Sequence, residues 1–425
     1  MPQTRLQRLL FITALILAGE AIFTLPFHVA RFFRPTVLEV FSLTATELGA
    51  AQGVYGITAM FAYFFGGPIA DRFPASKLLA SSLWLTAFGG IYMSTFPSAG
   101  ESLILWGFFG ISTILLFWAA LIRATRDWGG ENAQGRAYGL LDGGRGLLAS
   151  VLATMGVLMF GMAFPEGYGT ATFMQKQDAL RMIIYTYVAV TVIAGVFVWF
   201  ALPSSEASSG NANPPLELSA TGLGPWHQIK QVMSIPAVWL QAIVIFCAYV
   251  AYKGFDNYSL FAVQAYGIDE VEAAKLVAAA SWMRPLAALA AGLIGDKLSI
   301  SRMTFIAFLM LLASHLFFAL TTPIQGASGI LLTNMILGAA AFFGLRGLYF
   351  ALFEECRVPM ALTGSAVGFV SVLGYTPDIF VAYVAGLLID QSPGLEGHQN
   401  FFLFLSVFSM LGLVASYSLM RLLRR

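Results

Sequence analysis

GGPIADRFPASK, residues 66–77, interrupts an otherwise oily chain with Asp71, Arg72 and Lys77 in quick succession. A second stretch, AGLIGDKLSISR at 291–302, carries Gly292, Asp296, Lys297 and Arg302. Set against Gly67, Asp71, Arg72 and Lys77, the differences 292−67, 296−71, 297−72 and 302−77 all equal 225. A chain of 425 residues therefore writes one charged clause twice, half its length apart. Self-similarity at a fixed offset is the mark of a repeated structural unit.

Composition identifies the solvent of that unit. The chain is 58% hydrophobic and 11% charged, where a soluble domain carries roughly 25% charged residues. Too few charges remain to cover a water-facing surface, so the lipid bilayer surrounds it. A spanning helix needs about 20 largely apolar residues. Twelve such runs occur, near 9–30, 46–70, 78–96, 102–123, 136–163, 181–202, 237–258, 271–294, 303–322, 329–352, 362–389 and 400–420. The expected fold is an all-α membrane protein of twelve transmembrane helices. Arg5 and Arg8 precede the first run and LAGEA resembles a cleavage site. That run is longer than a signal peptide's apolar core and eleven others follow, so it reads as a retained helix.

Placing the N-terminus in the cytoplasm puts fourteen Lys and Arg residues on cytoplasmic ends and loops and five outside. This bias sets the orientation, with both termini cytoplasmic. The net charge of +1 gives no reason to expect a nucleic-acid partner. Cys247 and Cys356 lie in separate apolar runs, without a disulfide framework or metal-ligand spacing. No cofactor is expected.

PSSEASSGNANPPLELSATGLG, 203–224, is a long polar stretch without apolar periodicity and reads as a linker. It divides the chain into a six-helix half at 1–202, a linker with a short interfacial helix at 203–235, and a second six-helix half at 236–425. The repeat extends beyond the charged clause. Thr44-x-x-Glu47 falls on Asp269-x-x-Glu272 at the same offset, each with the form of a capping box opening a helix. Gly135-x-x-x-Gly139 recurs as Gly364-x-x-x-Gly368, a spacing that lets helices approach closely.

Two six-helix halves joined by a cytoplasmic linker resemble the major facilitator superfamily, whose halves are parallel repeats. That family's loop between helices 2 and 3 reads Gly-x-x-x-Asp-Arg-x-Gly-x-Arg-Arg, which Gly67, Asp71, Arg72 and Lys77 fit. Pro74 and Ser76 depart from the pattern. The stretches 132–146 and 25–41 look like a YihN-like branch of bacterial inner-membrane permeases. The first two helices are more distantly similar to the organophosphate:phosphate antiporters, whose helix 1 arginine Arg31 would match. The resemblance implies halves that move against each other. Asp71 would meet the exposed N–H groups of the eleventh helix near Thr363, and Asp296 those of the fifth near Gly135, as a cytoplasmic latch.

Charges within the spans are expensive and usually face the bundle interior. Arg145, Arg284 and Arg346 lie about eight to ten residues from the cytoplasmic ends of their helices, which at about 1.5 Å per residue gives one common depth. Guanidinium forks suit carboxylate, phosphate or sulfonate. Arg145 has Asp142 three residues back, so local pairing and a cavity role are both open. Arg284 and Arg346 have no acid on their own face. Glu20 has no cation three or four residues away and reads as a lone carboxyl, either coupled to protons or a neutral structural acid. Asp378 follows Pro377 and is a site residue or part of a kink; with Asp142 it is the next candidate for proton coupling. Trp118, Tyr252, Trp282 and Tyr375 are candidate cavity walls.

Arg31 and Asp256 also differ by 225, which places opposite charges at symmetry-equivalent outer positions. His28 and Lys253 are equivalent one turn inward. These four form a candidate outer gate, although Lys253 is spaced to neutralise Asp256 on its own helix. No nucleophile elbow, P-loop or His-rich metal spacing occurs. The expectation is a monomeric secondary transporter, not an enzyme. It would move a small organic anion by alternating access, coupled to protons or to anion exchange. A proton-driven exporter of apolar compounds is the alternative.

Overall fold

A computed structural model describes residues 5–129, 134–202, 230–287, 290, 299–348, 352–356 and 363–423. Among these the long helices are α1 (Arg5–Phe32, interrupted), α2 (Ala45–Arg72), α3 (Ala75–Met93), α4 (Ala99–Gly129, interrupted), α5 (Gln134–Met162) and α6 (Phe173–Ala201). They continue as α7 (Pro236–Tyr266, interrupted), α8 (Glu270–Ser281), α9 (Ile300–Leu320) and α10 (Ser328–Leu348). The last two are α11 (Thr363–Gly374, resuming as Pro377–Gln391) and α12 (Leu395–Leu423). Ten described helices are long and apolar enough to span a bilayer. The other two are α3, diluted by Ser76, Lys77, Ser81, Ser82 and Thr86, and α8, whose described helix turns at Trp282. Phe61, Phe64, Phe65, Phe88 and Phe200 stand exposed, as expected where the solvent is hydrocarbon.

Packing follows the repeat. In the first set α1 lies on α5 and α6, α2 on α4, and α3 on α6. In the second, α7 lies on α11 and α12, α8 on α10, and α9 on α12. The two most extensive packings between the sets are α2 with α11 and α5 with α8. Adding six to either helix number turns one crossing into the other, as a pseudo-two-fold relation requires.

The helix starts bear out one sequence reading and modify another. Thr44 accepts from the Glu47 amide at 3.1 Å while Glu47 accepts from the Thr44 amide at 2.8 Å, a full capping box. Asp269 accepts from Val271 and Glu272 amides at 2.9 and 3.4 Å. Glu272 instead turns to Lys275 at 3.7 Å, so among the described contacts that box is half made.

The end of the molecule away from the chain termini, called distal here, is where the two sets close on each other. A Cβ built on Gly49 would come within 2.3 Å of the Ala382 carbonyl, on Gly53 within 2.6 Å of the Ile379 carbonyl, and on Gly56 within 2.6 Å of the Asp378 backbone. Gly386 in turn meets the Ala45 carbonyl at 2.4 Å. Only glycine lets α2 and α11 come this near. Asp390, ending α11, accepts from the amides of Ala45 and Thr46 and from the Thr46 hydroxyl at 3.3, 2.7 and 2.6 Å. The close approach expected at Gly139 is not found: a Cβ there, as at Gly67, meets nothing within 4 Å. Both glycines lie toward the terminal end, and the tight seam belongs to other glycines at the distal end.

The repeated charged clause falls partly outside the described residues. Gly292, Asp296 and Lys297 are among the undescribed ones, as are the side chain of Asp71 and most of the 203–235 linker. Arg72, Lys77 and Arg302 are exposed. Arg123 of α4 donates to the Ala70 carbonyl and ties down the end of α2.

Candidate functional site

Proline shapes the centre of the molecule before any charge does. Pro26 has no N–H to give the helix, and α1 passes through a turn at 22–23 into a π-helical Thr24–His28. The Phe23 amide bonds back to Glu20 at 3.1 Å, which frees the Gly19 carbonyl. Arg145 of α5 donates to that carbonyl at 2.9 Å. The Ala21 carbonyl accepts from the hydroxyls of Thr24 and Thr191 at 2.7 and 3.2 Å. Pro285 acts likewise in the second set. The Ser281 carbonyl four residues before it accepts from Ser150 of α5 at 3.1 Å. At Pro377 the freed Leu373 carbonyl accepts from the Thr376 hydroxyl at 2.7 Å.

Glu20 sits at the break in α1, 2% exposed. Arg284 donates to its two carboxylate oxygens at 2.9 and 3.3 Å. Arg145 approaches at 3.6 Å and His28 at 3.5 Å. The reading of Glu20 as a lone carboxyl is therefore corrected. Its own helix supplies His28 eight residues on, α5 supplies Arg145, and Arg284 comes from 264 residues away. Spacing along one helix could not reveal partners brought by the fold. The same contact gives Arg284 the acid that its own face lacks.

Arg145 is buried among aromatic groups, its guanidinium 5.7 Å from the ring centres of both Phe23 and Trp118. It also approaches Asp142 at 3.5 Å, so its local pair and its central contact are made together. The Asp142 side chain is 75% exposed. Trp282 donates its indole N–H to Thr154 at 3.0 Å, again joining α8 to α5.

A second cluster lies one step toward the distal end. Arg31 reaches Asp256 at 2.5 Å and the Tyr252 hydroxyl at 3.2 Å. Lys253 approaches Asp256 at 3.1 Å and Asp378 at 3.3 Å, and lies 4.5 Å from the Phe27 ring centre. Cross-set pairing and local neutralisation of Asp256 thus coexist. His28 and Lys253 turn to separate acids, Glu20 and Asp256. Tyr249 donates to Asp378 at 2.8 Å and packs edge-on against Tyr375 at 4.9 Å. Arg346 lies over the Tyr252 ring at 4.0 Å. Tyr252 therefore stands between Arg31 of the first set and Arg346 of the second.

The three arginines do not gather at one point. Arg145 and Arg284 share Glu20, while Arg346 belongs to the tyrosine wall. Sequence reasoning missed Tyr249, although it lies one helical turn before Tyr252, and Phe23 beside the π turn. It also missed Asp390, for which nothing local gave a signal. Among the described residues no group of His, Cys, Asp and Glu could hold a metal ion. Opposed guanidiniums, a carboxylate and a tyrosine wall between the two sets offer contacts to a charged solute.

A family model described as the Major Facilitator Superfamily matches residues 9–382. Inner membrane protein YihN of Escherichia coli (strain K12) is 25% identical over 420 residues, covering 96% of this chain and 94% of that protein. Inner membrane protein YqcE of the same strain is 27% identical over 367 residues, covering 84% and 82%. Among solved structures, a bacterial homolog of the human lysosomal transporter Spinster, in an inward-facing and unoccupied conformation, superposes with a TM-score of 0.76. It is 14% identical, with 99% of each chain covered. The nucleoside transporter NupG gives a TM-score of 0.70 at 16% identity over 98% of each chain.

Proposed function

The chain belongs to the major facilitator superfamily, and from that premise we infer that it carries a small organic anion across the inner membrane by alternating access. The observation that carries this reading is Glu20 between Arg284 and Arg145, one arginine from each set, with oxygens at 2.9 and 3.6 Å. The centre already holds a carboxylate. A substrate carboxylate, phosphate or sulfonate offers the same chemistry and can take the arginines from Glu20. A displaced Glu20 without its cations favours the protonated form, which would couple substrate binding to proton uptake. Arg346 and the Tyr249–Tyr252–Tyr375 wall would line the rest of the passage. The gate role of Arg31 and Asp256, and cytoplasmic termini that make the distal end the outer face, belong to the same proposal.

The test is a thermal-shift screen of the purified protein against sugar phosphates, sulfonates, carboxylates, nucleosides and uncharged drugs. Nucleosides are the proper uncharged control because one structural neighbour is a nucleoside transporter. Stabilisation by anions that is lost in Arg284→Gln and in Arg346→Gln supports the reading. Stabilisation by uncharged compounds, retained in both variants, favours the exporter of apolar compounds.

A further inference from the structure

Arg34 is fully buried, at 0% exposure, in the short helix Arg34–Val40 between α1 and α2. Among the described residues its hydrogen bond is a long one, donated to the side-chain amide oxygen of Gln52 of α2 at 3.4 Å. Its Nε and second terminal nitrogen have no hydrogen-bond partner, and neither does the Gln52 amide nitrogen. A buried guanidinium without a counter-charge is costly enough that such groups are normally paired. No carboxylate lies within 4 Å of Arg34 among the described ion pairs. The two acids whose charge reaches it are otherwise engaged. Asp256 is held by Arg31 and Lys253, and Asp390 caps α2.

The charge balance leads to the same place. Of the described groups enclosed there, Arg31, Arg34 and Lys253 face Asp256 and Asp378, one cation more than anions, and Asp390 lies exposed and is taken up in capping α2. The location is the seam between the sets. The Arg34–Val40 helix packs against the Tyr258–Tyr266 part of α7, and Gln52 precedes Gly53, which meets α11.

We propose that Arg34 and Gln52 hold a small monovalent inorganic anion of the halide class at the distal seam. One negative charge matches the excess, and full burial favours an ion small enough to shed its water and sit among a few N–H donors. The donors belong to the first set and the seam covers them with the second. Bound anion therefore favours the distally closed state. This site is separate from the Glu20 centre and does not depend on what is transported.

The experiment measures the melting temperature of the purified full chain in chloride, bromide or gluconate at constant ionic strength. Chloride and bromide should each raise it by about 2 °C or more over gluconate, and Arg34→Gln should abolish the rise. Gln52→Leu, which keeps the arginine, should raise the chloride concentration for half the effect by roughly five-fold, the worth of one hydrogen bond. It is the deciding variant if Arg34→Gln does not fold. Equal stability in chloride and gluconate overturns the proposal. So does a chloride effect undiminished in the variants, which would mean an adventitious ion only.

Discussion

Asp390 caps a helix that is not its own: its carboxylate takes the Thr46 amide and hydroxyl at 2.7 and 2.6 Å, 344 residues away in sequence. Sequence reasoning expected carboxylates at helix N-termini of the opposite half, but assigned them to Asp71 and Asp296 at the terminal end. The described structure shows that chemistry at the distal end, where the halves are closed. Removing an N-cap costs about 0.5–2 kcal/mol. Asp390→Ala should shift the equilibrium away from distal closure by roughly 2- to 30-fold. Labelling of a single cysteine placed in the distal cleft will read this, and unchanged labelling would rule out a role in closure.

Gly53 gives a steric test of the same seam. A Cβ there would press within 2.6 Å of the Ile379 carbonyl, a backbone atom that cannot swing aside. Gly53→Leu should hold the distal end open, raise labelling in the same cysteine assay and stop transport, while the protein still purifies as a folded species. Gly139→Leu, where nothing lies within 4 Å, should leave distal labelling unchanged.

Arg31 and Asp256 are buried together at 2.5 Å, so breaking the pair leaves an uncompensated charge, worth about 3–5 kcal/mol. Asp256→Arg should strongly favour the distally open state. The double variant with Arg31→Asp restores one opposite pair and should recover part of the closure. A double variant no more closed than the single one would mean that the pair does not act as a gate.

Glu20→Gln keeps the shape of the side chain and removes the charge that Arg284 and Arg145 share. Uptake driven by a pH gradient should fall to the level of counterflow exchange, while exchange itself persists. Arg284 would then be freer for substrate, so apparent affinity should not fall. An unchanged response to the pH gradient in this variant would remove Glu20 from coupling.

The fold was legible because its strongest signals are local and repeated. Apolar runs announce spans, and the offset of 225 announces two copies. The same arithmetic put Arg31 opposite Asp256, which the structure brings into contact. The centre was less legible because its contacts join distant helices. Glu20 looked solitary, since a sequence shows partners three or four residues away and not one on α8. The burial of Arg34 was not legible, because it depends on a short helix folding back beneath the distal ends of α6 and α7. The Gly49, Gly53 and Gly56 seam has small-residue spacing visible in the chain, but which helix it meets is a tertiary fact.

The distal seam encloses its charges. Arg31, Arg34, Lys253 and Asp256 are each 6% exposed or less, and opening the seam must hydrate all of them. Under the proposed alternating access, reopening would take up water, and water activity would become one of its reactants. A neutral osmolyte too large to enter the cleft should slow or suppress distal opening in proportion to its osmotic pressure. In a cell, the membrane's carrier would then feel drought directly, through the hydration of four side chains rather than through any dedicated sensor.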